Sequence, residues 1–393
     1  MSFKKILLKV TLFWLTWRVF LFLIALIAPS ILSYQPSFPY SEILQQFELP
    51  KIIYDWANFD GAHYITIAQK GYLFADLIQA FFPIFPLLVR FLFWIGLNPI
   101  LGGLVISNLS LIGVLYFGYQ LTKKWFNTQT AVQFLLVLLT FPTSFYFGAM
   151  YSESLFLLLI LAGVWYYESK KNAISGLLIG LSSGVRLAGL MMVPAIFLEW
   201  LKKIDFQQRS VKNFFEQLSN IFKIHYRFLI GLLIGLTAFG SYVIFLYLHF
   251  NDPLYFFSVQ SAFGASRETR IILLPQVFYR SINILLTVRP FDLKYFSYAQ
   301  DFVLSIIMGI GVIAAASKIK LSYIIFAGLA YLLPTFTGNL SSMPRYVLIL
   351  FPVFMWWGNV LVEKPKLKAV YYPLSVLLLI VNTILFVQGY WVA

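Results

Sequence analysis

The chain has no cysteine, only three histidines and few charges: 11% of its 393 residues are Asp, Glu, Lys or Arg. Without cysteine there is no disulfide framework, thiol nucleophile or thiol redox couple. His63, His225 and His249 stand far apart with no cysteine to join them, which argues against a zinc centre. A soluble domain carries about 25% charged residues. A charge content this low excludes an ordinary water-facing surface. Polar intervals run to a few dozen residues at most, so no separate soluble domain is expected. No low-complexity segment or clear internal repeat stands out.

What fills the chain instead is apolar sequence, 60% of all residues. It comes in runs long enough to cross a bilayer, for which about 20 residues are needed. The net charge of +14 would suit nucleic acid, but the basic residues sit in short gaps between apolar runs. They cluster at Lys4 and Lys5, Lys123 and Lys124, Lys170 and Lys171, Lys202 to Arg227, Lys318 and Lys320, and Lys364 to Lys368. That is the positive-inside pattern, so the charge reports topology, and no nucleic-acid partner is expected. The first run, Ile6 to Ala28, is too long for a signal-peptide core and lacks a small-residue cleavage site; it reads as a retained anchor.

Used as a parity check, the clusters give an all-α, multi-pass membrane protein of about 11 spans in one domain over residues 1–393. The expected spans are Ile6–Ala28, Leu101–Leu121, Thr130–Gly148, Ser154–Tyr167, Ala173–Gly184, Leu187–Trp200, Phe228–Phe250, Phe302–Ala316, Leu321–Phe336, Tyr346–Val362 and Val370–Val387. Phe81–Gly96, broken by Pro83 and Pro86, is placed as an interfacial or dipping helix, because a full crossing would carry Lys123 outside. Outer loops are expected at about 29–99 and 251–300, and an inner basic segment at about 201–227. The outer loops hold most of the acids, Asp301 among them. Long outer loops with carboxylates and arginines exceed what connecting spans requires.

Four places carry candidate chemistry. Asp60 precedes a short helical pattern with His63, Tyr64 and Ile67 on one face and Gly71 as a stop. It fits either a helix-capping carboxylate or a catalytic one. Arg186 lies between two apolar arms, where a guanidinium is costly unless paired; its planar fork suits phosphate, and snorkelling to headgroups is the alternative. Glu153 opens a helix between two spans, as dipole stabiliser or as part of a polar site. Arg345 opens another span, where a headgroup anchor is the simplest reading. The second outer loop adds Gln260, Arg267, Arg270 and Arg280. Together they place carboxylates and arginines on one side of the membrane, beside interrupted helices, which suits a lipid-borne phosphate substrate.

Several motifs then carry a resemblance. Phe59-Asp60-Gly61-Ala62-His63-Tyr64, Ile67-Ala68, Gly71-Tyr72 and Ala80 to Arg90 resemble the GPI mannosyltransferase II (PIG-V) family and its bacterial relatives. So do Tyr151 to Phe156, Val185 to Gly189, Asn251 to Phe256 with Gln260, and Pro344-Arg345-Tyr346. The matches keep their order over nearly the whole chain. The resemblance implies a GT-C fold with interfacial helices in the first outer loop. It also implies a polyprenyl- or dolichyl-phosphate sugar donor, commonly mannose, and inverting transfer without metal or other cofactor. Two positions depart: Phe59 stands where the family usually has Trp, and Leu187-Ala188 where Ser-Asn is common. They bear on sugar and acceptor identity. A short, cysteine-free chain points to a prokaryotic cell membrane.

The expectation is an outer-face glycosyltransferase, mannosyltransferase-like, with Asp60 as general base. Arg186 would hold the donor phosphate, with Arg345 and Arg267 as further phosphate ligands. His63, Tyr64, Glu153 and Gln260 would orient sugar or acceptor. Its partners would be a polyprenyl-phosphate-linked sugar, a glycan, glycolipid or protein acceptor, and membrane lipids. A lipid or sugar transporter would need polar residues running through the spans, whose middles here are mostly apolar. A non-catalytic assembly subunit is the third class, since fold does not guarantee activity.

Overall fold

The computed structural model describes residues 3–38, 40–202, 204, 211–263, 267–268, 270–290 and 292–392, and of 211–215 the backbone alone. Part of the expected inner basic segment, at 203 and 205–210, lies outside the described residues. Among the described residues every regular element is helical. The principal helices, in chain order, are α1 (Phe3–Ile31), α2 (Asp60–Lys70), α3 (Ile84–Trp94), α4 (Pro99–Trp125), α5 (Thr128–Thr140), α6 (Glu153–Glu168), α7 (Asn172–Ser183), α8 (Met192–Leu201), α9 (Val211–Phe250), α10 (Leu274–Thr287), α11 (Leu293–Ala315), α12 (Leu321–Thr335), α13 (Met343–Tyr346), α14 (Phe351–Glu363) and α15 (Pro365–Val387).

Among the described residues five helices are long and apolar enough to cross a membrane: α1, α4, α9 from Glu216, α11 and α15. A sixth crossing exists if the helical pair Met343–Ile349 and Phe351–Glu363, bent by 85°, counts as one. Shorter apolar helices are α3, α5, α7, Leu187–Leu201 and α12. Eleven full spans are therefore not established by length. The chain is an integral membrane protein all the same, because its long apolar helices leave Leu, Ile and Phe side chains exposed along their outer faces.

Two expected boundaries shift for local reasons. The helix expected over Thr130–Gly148 stops at Thr140, because Pro142 forces Phe141 into extended backbone at φ −57° and ψ 141°. A 3₁₀ turn, Ser144–Phe147, follows. The second loop ends at Asp292, whose side chain accepts from the Lys294 N–H at 3.1 Å and starts α11 two turns earlier than hydropathy suggests. Asp301, expected in that loop, is therefore buried inside a helix.

Two glycine pairs bring α7 and α9 to backbone contact. A Cβ on Gly176 would lie 2.1 Å from the Phe228 carbonyl oxygen, and one on Gly231 would lie 2.0 Å from that of Ala173. At the basic end, Glu168 accepts from Lys124 at 3.1 Å, Lys320 at 2.5 Å and Tyr323 at 3.0 Å, tying α4, α6 and α12 together. The candidate site lies at the opposite helix ends, in the connections after α1, α7 and α12.

Candidate active site

The first connection is held so that Asp60 opens α2. Phe59 precedes it at φ 61°, a conformation costly for a bulky residue. Its ring is held among Phe38, Phe386 and Trp391, at centroid distances of 4.6, 5.8 and 5.6 Å. Tyr151 fixes the turn from the far side. Its hydroxyl donates to the Asn58 carbonyl at 2.9 Å and accepts from the Asp60 N–H at 3.2 Å. At the other end of α2, Arg90 from α3 donates to the Ala68 and Ile67 carbonyls at 2.6 and 3.2 Å, closing the helix end. Phe59 at the N-cap supplies no side-chain capping bond, and among the described residues none comes from the Asp60 carboxylate. It turns instead to Arg345, whose Nη1 donates to Oδ2 at 2.6 Å.

Arg345 comes from α13, 285 residues further along the chain. Its guanidinium lies over the rings of Tyr346, Tyr146 and Tyr151, at 5.1, 5.6 and 5.6 Å. Its Nε faces Glu153 Oε1 at 3.7 Å, beyond hydrogen-bonding reach. Glu153 opens α6 and is wholly buried. Its Oε1 accepts from Arg186 Nη1 at 2.5 Å, while Oε2 has no hydrogen-bond partner among the described residues. Arg186 sits in extended backbone between α7 and the 3₁₀ turn Leu187–Met191. Burial and the neighbouring Arg345 work against its charge, but Glu153 with Tyr64 and Tyr346 together outweigh them, so its pKa lies above the usual value. Tyr64 donates to Ser152 Oγ at 3.0 Å, and Arg186 reaches the same oxygen at 3.4 Å.

These groups surround a cavity of about 750 Å³ lined by Asp60, His63, Tyr64, Arg186, Gln260, Arg267 and Arg345. Its remaining wall is largely aromatic and aliphatic, with Phe81, Phe82, Phe256, Phe263, Leu333 and Ile349. His63 stacks on Phe81 at 5.0 Å; burial lowers its pKa, and Asp60 only partly opposes this. Gln260 accepts from Arg267 Nη1 at 2.9 Å, and Arg267 has no carboxylate partner among the described residues. Its loop is fixed by Glu268 N–H donating to Thr337 O at 2.8 Å and by the Arg280–Glu268 pair at 2.6 Å.

All eight residues expected at the site converge here. Glu153, expected to orient sugar or acceptor, differs in place: it lies behind Arg186 and Arg345 and does not line the cavity. Arg270 and Arg280 stay outside the lining. Residues that sequence reasoning missed include Asp76, Ser152, Tyr346, Tyr298 and Trp391, all lining the cavity. Ser152 and Tyr346 lie within the quoted motifs without being singled out there, and Asp76 is one of the loop acids; Tyr298 and Trp391 carry no local signal. Asp55 lies apart. Burial raises its pKa to about 7 although Lys51 contacts it at 2.5 Å. Among the described residues no three His, Asp or Glu side chains gather in a way that could hold a metal ion.

The family model described as mannosyltransferase (PIG-V) matches residues 7–259. The chain belongs to the PIG-V mannosyltransferase family. Within the matched span lie Asp60, His63, Tyr64, Glu153 and Arg186; Gln260, Arg267 and Arg345 fall beyond it and join the site through the fold. No curated protein matches the chain. Among solved structures it is similar to an Archaeoglobus fulgidus oligosaccharyltransferase tethered with an acceptor peptide. Identity there is 14% and the TM-score 0.45, over 96% of this chain and 55% of that one. It is also similar to the oligosaccharyltransferase AglB of the same organism, in complex with an inhibitory peptide and a dolichol-phosphate. That likeness has 13% identity and a TM-score of 0.40, over 97% and 56% of the two chains. This PIG-V family chain thus spans about half the length of the chains it matches, and similarity at this level transfers neither of their ligands.

Proposed function

We propose that the chain is a GT-C-type membrane glycosyltransferase acting at the outer membrane face. It would move a sugar, mannose by family membership, from a polyprenyl-phosphate donor to a hydroxyl of a glycan, glycolipid or protein acceptor, with inversion. The observation that carries this reading is the meeting of Asp60, Arg186 and Arg345 at one cavity with an apolar flank. A carboxylate beside guanidiniums provides a proton acceptor next to an anion site. The apolar wall suits the first part of a lipid chain.

In the reaction the acceptor oxygen attacks the anomeric carbon and its proton passes to Asp60. The bond from that carbon to the donor phosphate oxygen breaks, and the phosphate leaves on its lipid, its charge met by Arg345 and Arg186. In the structure Arg345 occupies Asp60. An arriving phosphate would compete for the guanidinium fork and free the carboxylate, so the donor would bind before the acceptor. Arg267 is a further cation at the cavity, oriented by Gln260. His63 and Tyr64 would meet the sugar or acceptor.

The test uses purified protein in detergent with polyprenyl-phosphate mannose and, separately, polyprenyl-phosphate glucose, each with a panel of acceptors. Sugar transfer with equimolar release of polyprenyl monophosphate is expected from at least one combination. Donor binding without release under every combination would instead support a carrier.

A further inference from the structure

After α15 the chain folds back as a strap, residues 388–392, against the first connection. Gly389 makes the turn at φ 81°, and a Cβ there would lie 2.7 Å from the Pro36 Cα. Glycine alone meets both demands without strain. The Gln35 and Ser37 N–H groups donate to the Gln388 and Gly389 carbonyls at 2.9 and 2.8 Å. The Tyr390 hydroxyl donates to Gln35 Oε1 at 3.1 Å. On its other flank Ser297 of α11 donates to the Trp391 carbonyl at 3.1 Å, and the Tyr146 hydroxyl to that of Val392 at 2.6 Å. These bonds fix the backbone that carries Trp391. The indole stands at 80° to the Phe59 ring, 5.6 Å away, and Phe59 is the residue before Asp60. It lines the cavity and is still 44% exposed, so packing accounts for only part of its surface. Ser37, Phe38 and Tyr298, on the segments that hold the strap, line the same cavity and carry no charge. Such a wall does not answer a phosphate. A pyranose ring offers one face of C–H bonds and a rim of hydroxyls; an indole covers the first, and the Ser37 and Tyr298 hydroxyls can meet the second.

We propose that Trp391 is a specificity-determining residue of the acceptor side: the strap presents its indole as a platform for a sugar ring of the acceptor, next to the turn that carries Asp60. The role rests on the proposed reading of this cavity as a glycosyltransferase site. It narrows the acceptor to a molecule that carries a sugar ring, and it makes the strap, through Gly389, the device that holds the platform in place.

The experiment compares wild type with Trp391→Ala, Trp391→Phe and Gly389→Ala in detergent. The probes are methyl glycosides of mannose, glucose and galactose, a serine-containing peptide amide, and polyprenyl monophosphate. Binding is read by saturation-transfer NMR, which needs no turnover. At least one glycoside should bind wild type. Trp391→Ala should weaken it about tenfold or more, while Trp391→Phe, which keeps a ring face, should retain most of the affinity. Gly389→Ala should weaken it with Trp391 still present, because the strap must move off Pro36. Polyprenyl monophosphate should bind all four proteins equally. If Trp391→Ala does not fold, Trp391→Leu, which keeps apolar bulk without a ring, replaces it; if Gly389→Ala does not fold, Ser297→Ala, which removes the bond to the Trp391 carbonyl, replaces it. Glycoside affinity unchanged in Trp391→Ala overturns the proposal, as does a wild type that binds no glycoside or binds the peptide alone. An equal loss of polyprenyl monophosphate binding in Trp391→Ala overturns the assignment to the acceptor side. If glycosides bind through Trp391 but no donor and acceptor combination gives transfer, the sugar platform stands and the transferase reading fails.

Discussion

Arg186 and Glu153 make a close, enclosed ion pair at the site, at 2.5 Å with Glu153 wholly buried. Removing one partner of a buried pair costs about 3–5 kcal/mol, because the other charge is left unpaired. Arg186→Ala should therefore lower the melting temperature as well as donor affinity. Arg186→Lys should keep the fold and still bind donor more weakly, since an ammonium cannot offer two parallel N–H groups to a phosphate. Melting curves and donor titrations on both variants check this. If donor affinity is unchanged in both, Arg186 serves Glu153 alone. At Asp55 the expected effect is pH-dependent. Its folded pKa of about 7 lies above the unfolded value of about 3.9. The folded state thus binds the extra proton between those values, and this residue's contribution to stability falls as pH rises from 4 to 7. Melting temperature in detergent should drop over that window in wild type and drop less in Asp55→Asn; parallel curves would refute the assignment.

The helices explain why part of this was readable and part was not. Asp60 and Arg186 were legible because each stands alone, a charged residue beside an apolar run. The pairing of Asp60 with Arg345 was not legible, because 285 residues separate them and only packing brings α13 over α2. Asp301 was misplaced because Lys294, Tyr295, Ser297 and Gln300 mask the first turns of α11 in any hydropathy reading. The spacing of Gly176 with Gly180 and of Gly231 with Gly235 passed unremarked, although a four-residue repeat of small residues in apolar runs marks close helix contact. Its consequence is testable. At Gly176 on α7 a methyl group would meet backbone, which cannot swing aside, whereas a Cβ on Gly240 of the facing α9 meets nothing within 4 Å among the described residues. Gly176→Ala should destabilise by about 1–3 kcal/mol. Gly240→Ala should be neutral or slightly stabilising, through helix propensity. Thermal unfolding of the two variants decides; equal melting temperatures would mean that α7 and α9 do not cross as described.

Across the whole molecule, polar chemistry gathers at one set of helix ends and basic anchors at the other. Leu73 is exposed on the site-bearing connection and Gln129 is exposed beside Lys123 and Lys124. In this cysteine-free chain a single Leu73→Cys should react with an impermeant thiol reagent in intact cells, and Gln129→Cys should react only after lysis. The opposite pattern would turn the site to the inner face. The central claim concerns Asp60, which lies between Arg345 and an open cavity and is proposed as the base. Asp60→Asn keeps the shape and removes the basicity. It also loosens the hold on Arg345, so donor affinity should be equal to wild type or higher. A general base contributes about 10²–10⁴-fold. The decisive measurement is the rate of sugar transfer from the polyprenyl-phosphate donor, with donor affinity, for wild type and Asp60→Asn. The account predicts a rate lower by about 10²–10⁴-fold with binding intact; a variant that transfers sugar at nearly the wild-type rate would contradict it.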